Sequence, residues 1–185
     1  MARGAQPRPV RATLAFALAA SLALPACGGP NQLTGSLDAV APLQFDAVTV
    51  RVDPHVLAVE FDRSAVSDVA VADGGQAAGA DVAFKMAVNI DGLQLDQGLS
   101  VDLAAPLEDG RVRASCTRAV GTDPRRDLPP IKRGTLVLDA NVNYDQVATG
   151  HFHILFDMGG DIGEGRTVNG RFRAVAQNAD PGSST

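Results

Sequence analysis

Between Asp81 and Asp91 the chain alternates without a break. Val82, Phe84, Met86, Val88 and Ile90 are apolar, and Asp81, Ala83, Lys85, Ala87 and Asn89 stand between them. Successive side chains of a strand point to opposite faces, so this segment makes one apolar face and one mainly polar face. The pattern recurs upstream. Leu43 to Val52 sets Val48, Val50 and Val52 against Thr49 and Arg51. Asp53-Pro54-His55 breaks that run. Val56 to Asp62 then sets Leu57, Val59 and Phe61 against Ala58 and Glu60. Two such runs around a tight break predict a hairpin.

Further along, 65–80 reads as one short strand and a loop. Leu99 to Leu103 is a strand stopped by Pro106, and Glu108-Asp109-Gly110 is a turn leading into a strand from Arg111 to Val120. Gly121 to Arg133 is expected to be structureless, because Pro124, Pro129 and Pro130 oppose both helix and sheet. Thr135 to Val142, His151 to Asp157 and Thr167 to Ala176 read as the last strands, with a Gly-rich acidic loop from Gly159 to Arg166. No segment combines a helix start, an apolar stripe and a stop. The fold class is all-β: an antiparallel β-sandwich or a partly open β-barrel of roughly 8–10 strands. Periodicity does not choose between the two.

The N-terminus follows another rule. Arg3, Arg8 and Arg11 precede Ala12 to Leu24, where only Thr13 and Ser21 are polar. A basic start, a short apolar run and small residues make a secretory signal peptide, and the run is shorter than the ~20 residues a spanning helix needs. Leu24-Pro25-Ala26-Cys27 resembles the lipobox of bacterial lipoproteins, with Pro25 where Ala or Ser is usual. The resemblance implies cleavage after residue 26 and a lipid on Cys27. It divides the chain into a signal peptide (1–26), a lipidated Cys with a short Gly/Pro/Asn tether (27–32), a single β domain (33–177) and a tail expected to be disordered (178–185). Gly28 stands where inner-membrane lipoproteins carry a retention Asp. The resemblance therefore implies an outer-membrane lipoprotein, on the periplasmic face or at the cell surface.

The removed segment holds three of the 16 basic residues and none of the 21 acidic ones, so the mature chain carries a net charge of −8. A domain of that sign is a poor match for nucleic acid, whose binding rests on Lys and Arg at phosphates. With Cys27 acylated, Cys116 is the remaining thiol and cannot form an internal disulfide. It reads as a small buried apolar residue, or as a thiol for an intermolecular bond or reaction.

Gly150-His151-Phe152-His153-Ile154-Leu155-Phe156 and Val168-Asn169-Gly170-Arg171-Phe172-Arg173-Ala174 resemble a hairpin recurrent in uncharacterised β-rich bacterial envelope lipoproteins, and Leu33-Thr34-Gly35-Ser36-Leu37 resembles the start of such domains. The resemblance implies no activity. Physically, Phe152, Ile154 and Phe156 share the core-facing side. Gly150 and Gly170 sit beside phenylalanines, where a missing side chain lets a strand bend or an aromatic ring lie over the backbone. Asn169-Gly170 is expected within a strand, with a tight hairpin turn as the alternative.

Candidate chemistry is sparse. His151 and His153, two apart on a strand, share a face and could hold Zn²⁺ or Cu²⁺ if His55 or Glu60 supplied a third ligand; a polar outer face explains them equally. Asp157, Asp161 and Glu164 lie among glycines and could wrap Ca²⁺, although they do not match the Asp-x-Asp-x-Asp-Gly loop. Arg125, Arg126, Lys132 and Arg133 form a basic patch that could meet anionic lipid or an acidic partner. No Gly-x-Ser-x-Gly, His-Glu-x-x-His or paired-Cys motif is present. No cofactor is expected, and the domain is read as non-catalytic: a lipid-anchored binding or interaction module with an envelope protein or lipid as partner. The alternatives are a carrier of a lipid or other apolar ligand in a barrel interior, and a metal-binding or enzymatic domain around His151 and His153.

Overall fold

The structure is a computed structural model that describes residues 29–64, 81–121, 125–160 and 162–179. The signal segment, Cys27, the short strand expected within 65–80, Asp161 and most of the expected tail lie outside these residues. Ten strands are formed: β1 (Gln32–Thr34), β2 (Ala47–Val52), β3 (Val56–Arg63), β4 (Asp81–Asn89), β5 (Ser100–Asp102), β6 (Ala114–Ala119), β7 (Arg126–Asp127), β8 (Ile131–Leu138), β9 (Val147–Phe156) and β10 (Thr167–Asn178). The helical content of the described residues is a single 3-10 turn, Ser36–Ala39.

The strands make one strongly curled, open sheet, a half-barrel, in the order β5-β8-β9-β10-β2-β3-β4-β6-β7, with β1 beside β10. The partly open barrel is thus the arrangement adopted. Every pairing is antiparallel except that of β10 with β2. That exception makes the curl. Over Thr167–Val175, β10 pairs with β9; at Ala176–Asn178 it pairs with β2, joining two half-sheets through one long strand. The expected hairpin β2–β3 forms in register, with Val50 opposite Val59.

Both half-sheets turn their apolar faces into one core. Phe61 of β3 and Phe84 of β4 come from one half, and Phe152 of β9 from the other. The rings of Phe84 and Phe152 stack at 5.7 Å, and Phe61 meets Phe152 edge-on at 6.1 Å. All three are buried. Burying each such side chain stabilises by about 2–3 kcal/mol, and each well-placed ring pair adds roughly 1 kcal/mol. Among the described residues the aromatic stack joins the two half-sheets inside the curl.

Two reciprocal pairs hold the β9–β10 hairpin. Gly150 faces Phe172, and Gly170 faces Phe152 across the ladder. A Cβ on Gly150 would lie 2.7 Å from the Phe172 ring, and one on Gly170 would overlap the edge of the Phe152 ring. Each ring lies over the bare backbone opposite, as the composition of this hairpin implied. Asn169 and Gly170 are within β10, not at a turn.

The chain reaches β8 from β7 through Leu128, Pro129 and Pro130 alone, at most ~14 Å of extended backbone between Asp127 and Ile131. In the sheet these strands lie near opposite ends, so this strap draws the sides of the half-barrel together. Leu128 and Pro129 are buried, and the Leu128 amide donates to the Cys116 carbonyl at 2.9 Å. Here the expectation of a structureless 121–133 is corrected. Arg126–Asp127 pairs with β6, and β8 begins at Ile131. Proline removes the ladder donor only at its own position, so it leaves its neighbours free to pair at an edge.

Candidate functional site

The outer face of the half-sheet β8, β9, β10 and β1 carries three of the residues singled out by sequence, His151, His153 and Arg133. Along β9 the alternation is strict: Ala148, Gly150, Phe152, Ile154 and Phe156 are buried, and His151 and His153 are exposed. Along β10, Val168, Gly170 and Phe172 are buried, and Asn169, Arg171 and Arg173 are exposed. Register then sets the rows. Val137, His151, Arg171 and Gln32 lie across one, and Thr135, His153, Asn169 and Thr34 across the next. Arg133 and Leu155 share the row beyond. Gln32, Thr34, His151, His153, Asn169 and Arg171 line a shallow, open pocket on this face.

Each imidazole is oriented by one neighbour. His151 Nδ1 is 3.2 Å from an Asp139 carboxylate oxygen, and His153 Nδ1 donates to Asn169 Oδ1 at 2.5 Å. The third ligand expected from His55 or Glu60 does not join them. His55 Nδ1 is 2.6 Å from Asp91. That hydrogen bond and the Asp91 charge raise the His55 pKa, and the hydrogen bonds from His55 and Asn89 lower that of Asp91. Glu60 is buried and bound to Arg51 at 2.7 Å and to Lys85 at 2.5 Å. Among the described residues no three His, Cys, Asp or Glu side chains gather to hold a metal.

The acidic loop between β9 and β10 spends its carboxylates on its own backbone. Asp157 accepts from the Met158 amide at 2.9 Å and lies 3.4 Å from Lys132 Nζ. These contacts hold its carboxyl below the usual range, the amide first. Glu164 accepts from the Gly159 amide at 2.7 Å. Two of the three proposed Ca²⁺ ligands thus serve as loop braces, and Asp161 lies outside the described residues.

The basic patch is exposed throughout, but the fold divides it. Arg126 is on the edge strand β7 with Arg125 just before it, while Lys132 and Arg133 stand on β8. Arg133 shares the outer face with Arg171 and Arg173, two cations that sequence reading passed over. Their signal was present in the Arg-x-Arg spacing of the last strand.

Glu60 lies on the polar side of β3, as the alternation implies, but is more enclosed than alternation alone would make it. It is 5% exposed, between Thr49 and Lys85 in the β2–β3–β4 ladder. The aliphatic stems of Arg51 and Lys85 explain the cover, since long basic side chains lay their methylenes over a surface and keep the charge at its rim. Nearby, Asp62 accepts from the Thr49 hydroxyl at 2.8 Å. Burial nevertheless holds its carboxyl above the usual range. Cys116 is buried, and burial pushes its thiol far up, away from the reactive thiolate. The reading as a core residue holds. The chain matches no protein-family model, no curated protein and no solved structure.

Proposed function

We propose that this chain is an exported, lipid-anchored envelope protein whose β domain is a non-catalytic binding module working through its outer surface. The observation that supports the reading is the packing of the interior among the described residues. Phe61, Phe84 and Phe152 occupy the space where a carrier would hold an apolar ligand. A recognition role therefore falls to outward-facing side chains, among them the exposed His151, His153, Asn169, Arg171 and Arg173 of one face. The anchor rests on the basic start, the apolar run and Leu24-Pro25-Ala26-Cys27. An envelope protein or a lipid surface is the partner class, and the mature charge of −8 disfavours nucleic acid.

The anchor is tested by expressing the full chain in a bacterium with lipoprotein processing. The wild type is expected in the membrane fraction, with an intact mass that starts at Cys27 and carries acyl chains. Cys27→Ser is expected in the soluble fraction. Equal membrane retention of both proteins, with no lipid mass on either, would refute it.

A further inference from the structure

The segment that follows the proposed anchor enters the fold beside two exposed arginines of β10. β1 pairs Gln32 with Arg171, and the Asn31 side chain accepts from the Arg173 amide at 2.5 Å. Cys27 precedes Asn31 by four residues, which span at most ~14 Å fully extended. A lipid on Cys27 thus keeps Arg171 and Arg173 beside the headgroup layer whatever path the tether takes. A short tether also gives the neighbouring face a high effective concentration at that layer, so weak attractions there are realised.

Two surfaces compete for that position. The end from which β1 arrives is acidic. Asp53 and Asp91 flank the His55 turn beyond β2, and Asp145 is tied to the end of β10 through its amide and the Ala176 carbonyl. The outer face beside it carries Arg133, Arg171 and Arg173, all exposed, with His151 and His153 between them. Among the described residues none of these three arginines forms an ion pair; Asp139 stands beside His151, and exposed Asp102 of β5 lies opposite Thr135 at the border of the face. Half-buried Val137 and Leu155 and exposed Val175 are interspersed among them.

We propose that the outer face of β8, β9, β10 and β1 is the surface on which the domain rests against the anionic headgroups of the membrane that its own anchor enters. The inference builds on the lipid-anchor reading above and adds an orientation to it. Arginine at an anionic bilayer surface gains electrostatic energy with each residue within a Debye length, whereas the aspartates at the end of the sheet would be repelled. The domain therefore lies on its basic face, leaving the β2–β3–β4 side with Glu60 and Asp62 towards the aqueous phase.

The test uses the three histidines as built-in reporters. The mature chain, residues 27–185, contains every described strand and is coupled through Cys27 to a maleimide lipid; Cys116 is buried and does not compete. Vesicles of phosphatidylcholine alone are compared with vesicles containing phosphatidylglycerol, and diethylpyrocarbonate labelling is read residue by residue by mass spectrometry. On anionic vesicles, labelling of His151 and His153 is expected to fall roughly threefold or more relative to His55. The double substitution Arg171→Glu, Arg173→Glu is expected to remove that protection, and Arg171→Gln, Arg173→Gln to weaken it with less demand on folding. Equal labelling on the two vesicle types, protection that survives both double substitutions, or protection of His55 in place of the pair would overturn the proposal. The coupling supplies the anchor, so this result is independent of whether a cell lipidates Cys27; the intact mass above decides that separately.

Discussion

Asp62 carries a charge that the fold does not fully compensate. Desolvation raises its carboxyl pKa, and the nearby Glu60 carboxylate acts in the same direction against the Thr49 hydrogen bond. A folded-state pKa above the unfolded value means that the native state binds more protons in the interval between them. Stability then falls as pH rises through that interval, and the ionised group costs stability at neutral pH. Asp62→Asn keeps a carbonyl acceptor for the Thr49 hydroxyl and removes the charge. Its urea midpoint at neutral pH is expected above that of the wild type, and the advantage is expected to shrink as pH falls through the raised carboxyl range. A lower midpoint at neutral pH would show that Asp62 is held chiefly by Arg51 and Lys85. Glu60 differs from Asp62 in having both cations in direct contact, at 2.7 Å and 2.5 Å. Neither role follows from alternation, which assigns both carboxylates to a polar face and stops there. What buries Glu60 is the reach of two long side chains from adjacent strands, and that depends on register.

The β9–β10 hairpin shows what an element can encode. Its glycines are legible in the sequence because each is spaced two residues from a phenylalanine of its own strand, and antiparallel pairing converts that spacing into a Gly–Phe pair across the ladder. Gly170→Ala is expected to destabilise by about 1–3 kcal/mol, read as a lower denaturant midpoint, because the added methyl meets a buried ring. Adding Phe152→Leu to Gly170→Ala should cost less than the two single substitutions summed, since the smaller side chain frees the space. Additive costs would mean that the ring does not depend on the missing Cβ. Other elements were less legible. β7 is two residues long and β1 three, too short for any period to register. β8 begins one residue after Pro130, where proline content alone argued for a loop. Short edges are also a protection: β5 and β7, the open ends of the sheet, offer three and two residues as templates for unwanted pairing.

At the scale of the molecule, one strand decides the architecture. β10 pairs with β9 along most of its length and turns to β2 at its end, so ten short strands become one curled sheet around one core. The all-β class, the hairpins and the main core residues could be read from alternation. The parallel β10–β2 contact could not, because it joins segments more than a hundred residues apart with no motif to mark them. The same contact sets an apolar core inside the curl and polar side chains outside it. Residues expected to form one basic loop are divided between an edge and a face, and the face is completed by arginines of β10. In the proposed reading the interior is packed by its own phenylalanines and partners meet the outer surface. Native mass spectrometry of the mature chain, made as the Cys27→Ser protein in a bacterial periplasm and purified gently, tests it most directly. The expected result is the mass of the bare polypeptide. A retained mass excess matching a lipid or another apolar molecule, released only on unfolding, would contradict it and make the half-barrel a carrier.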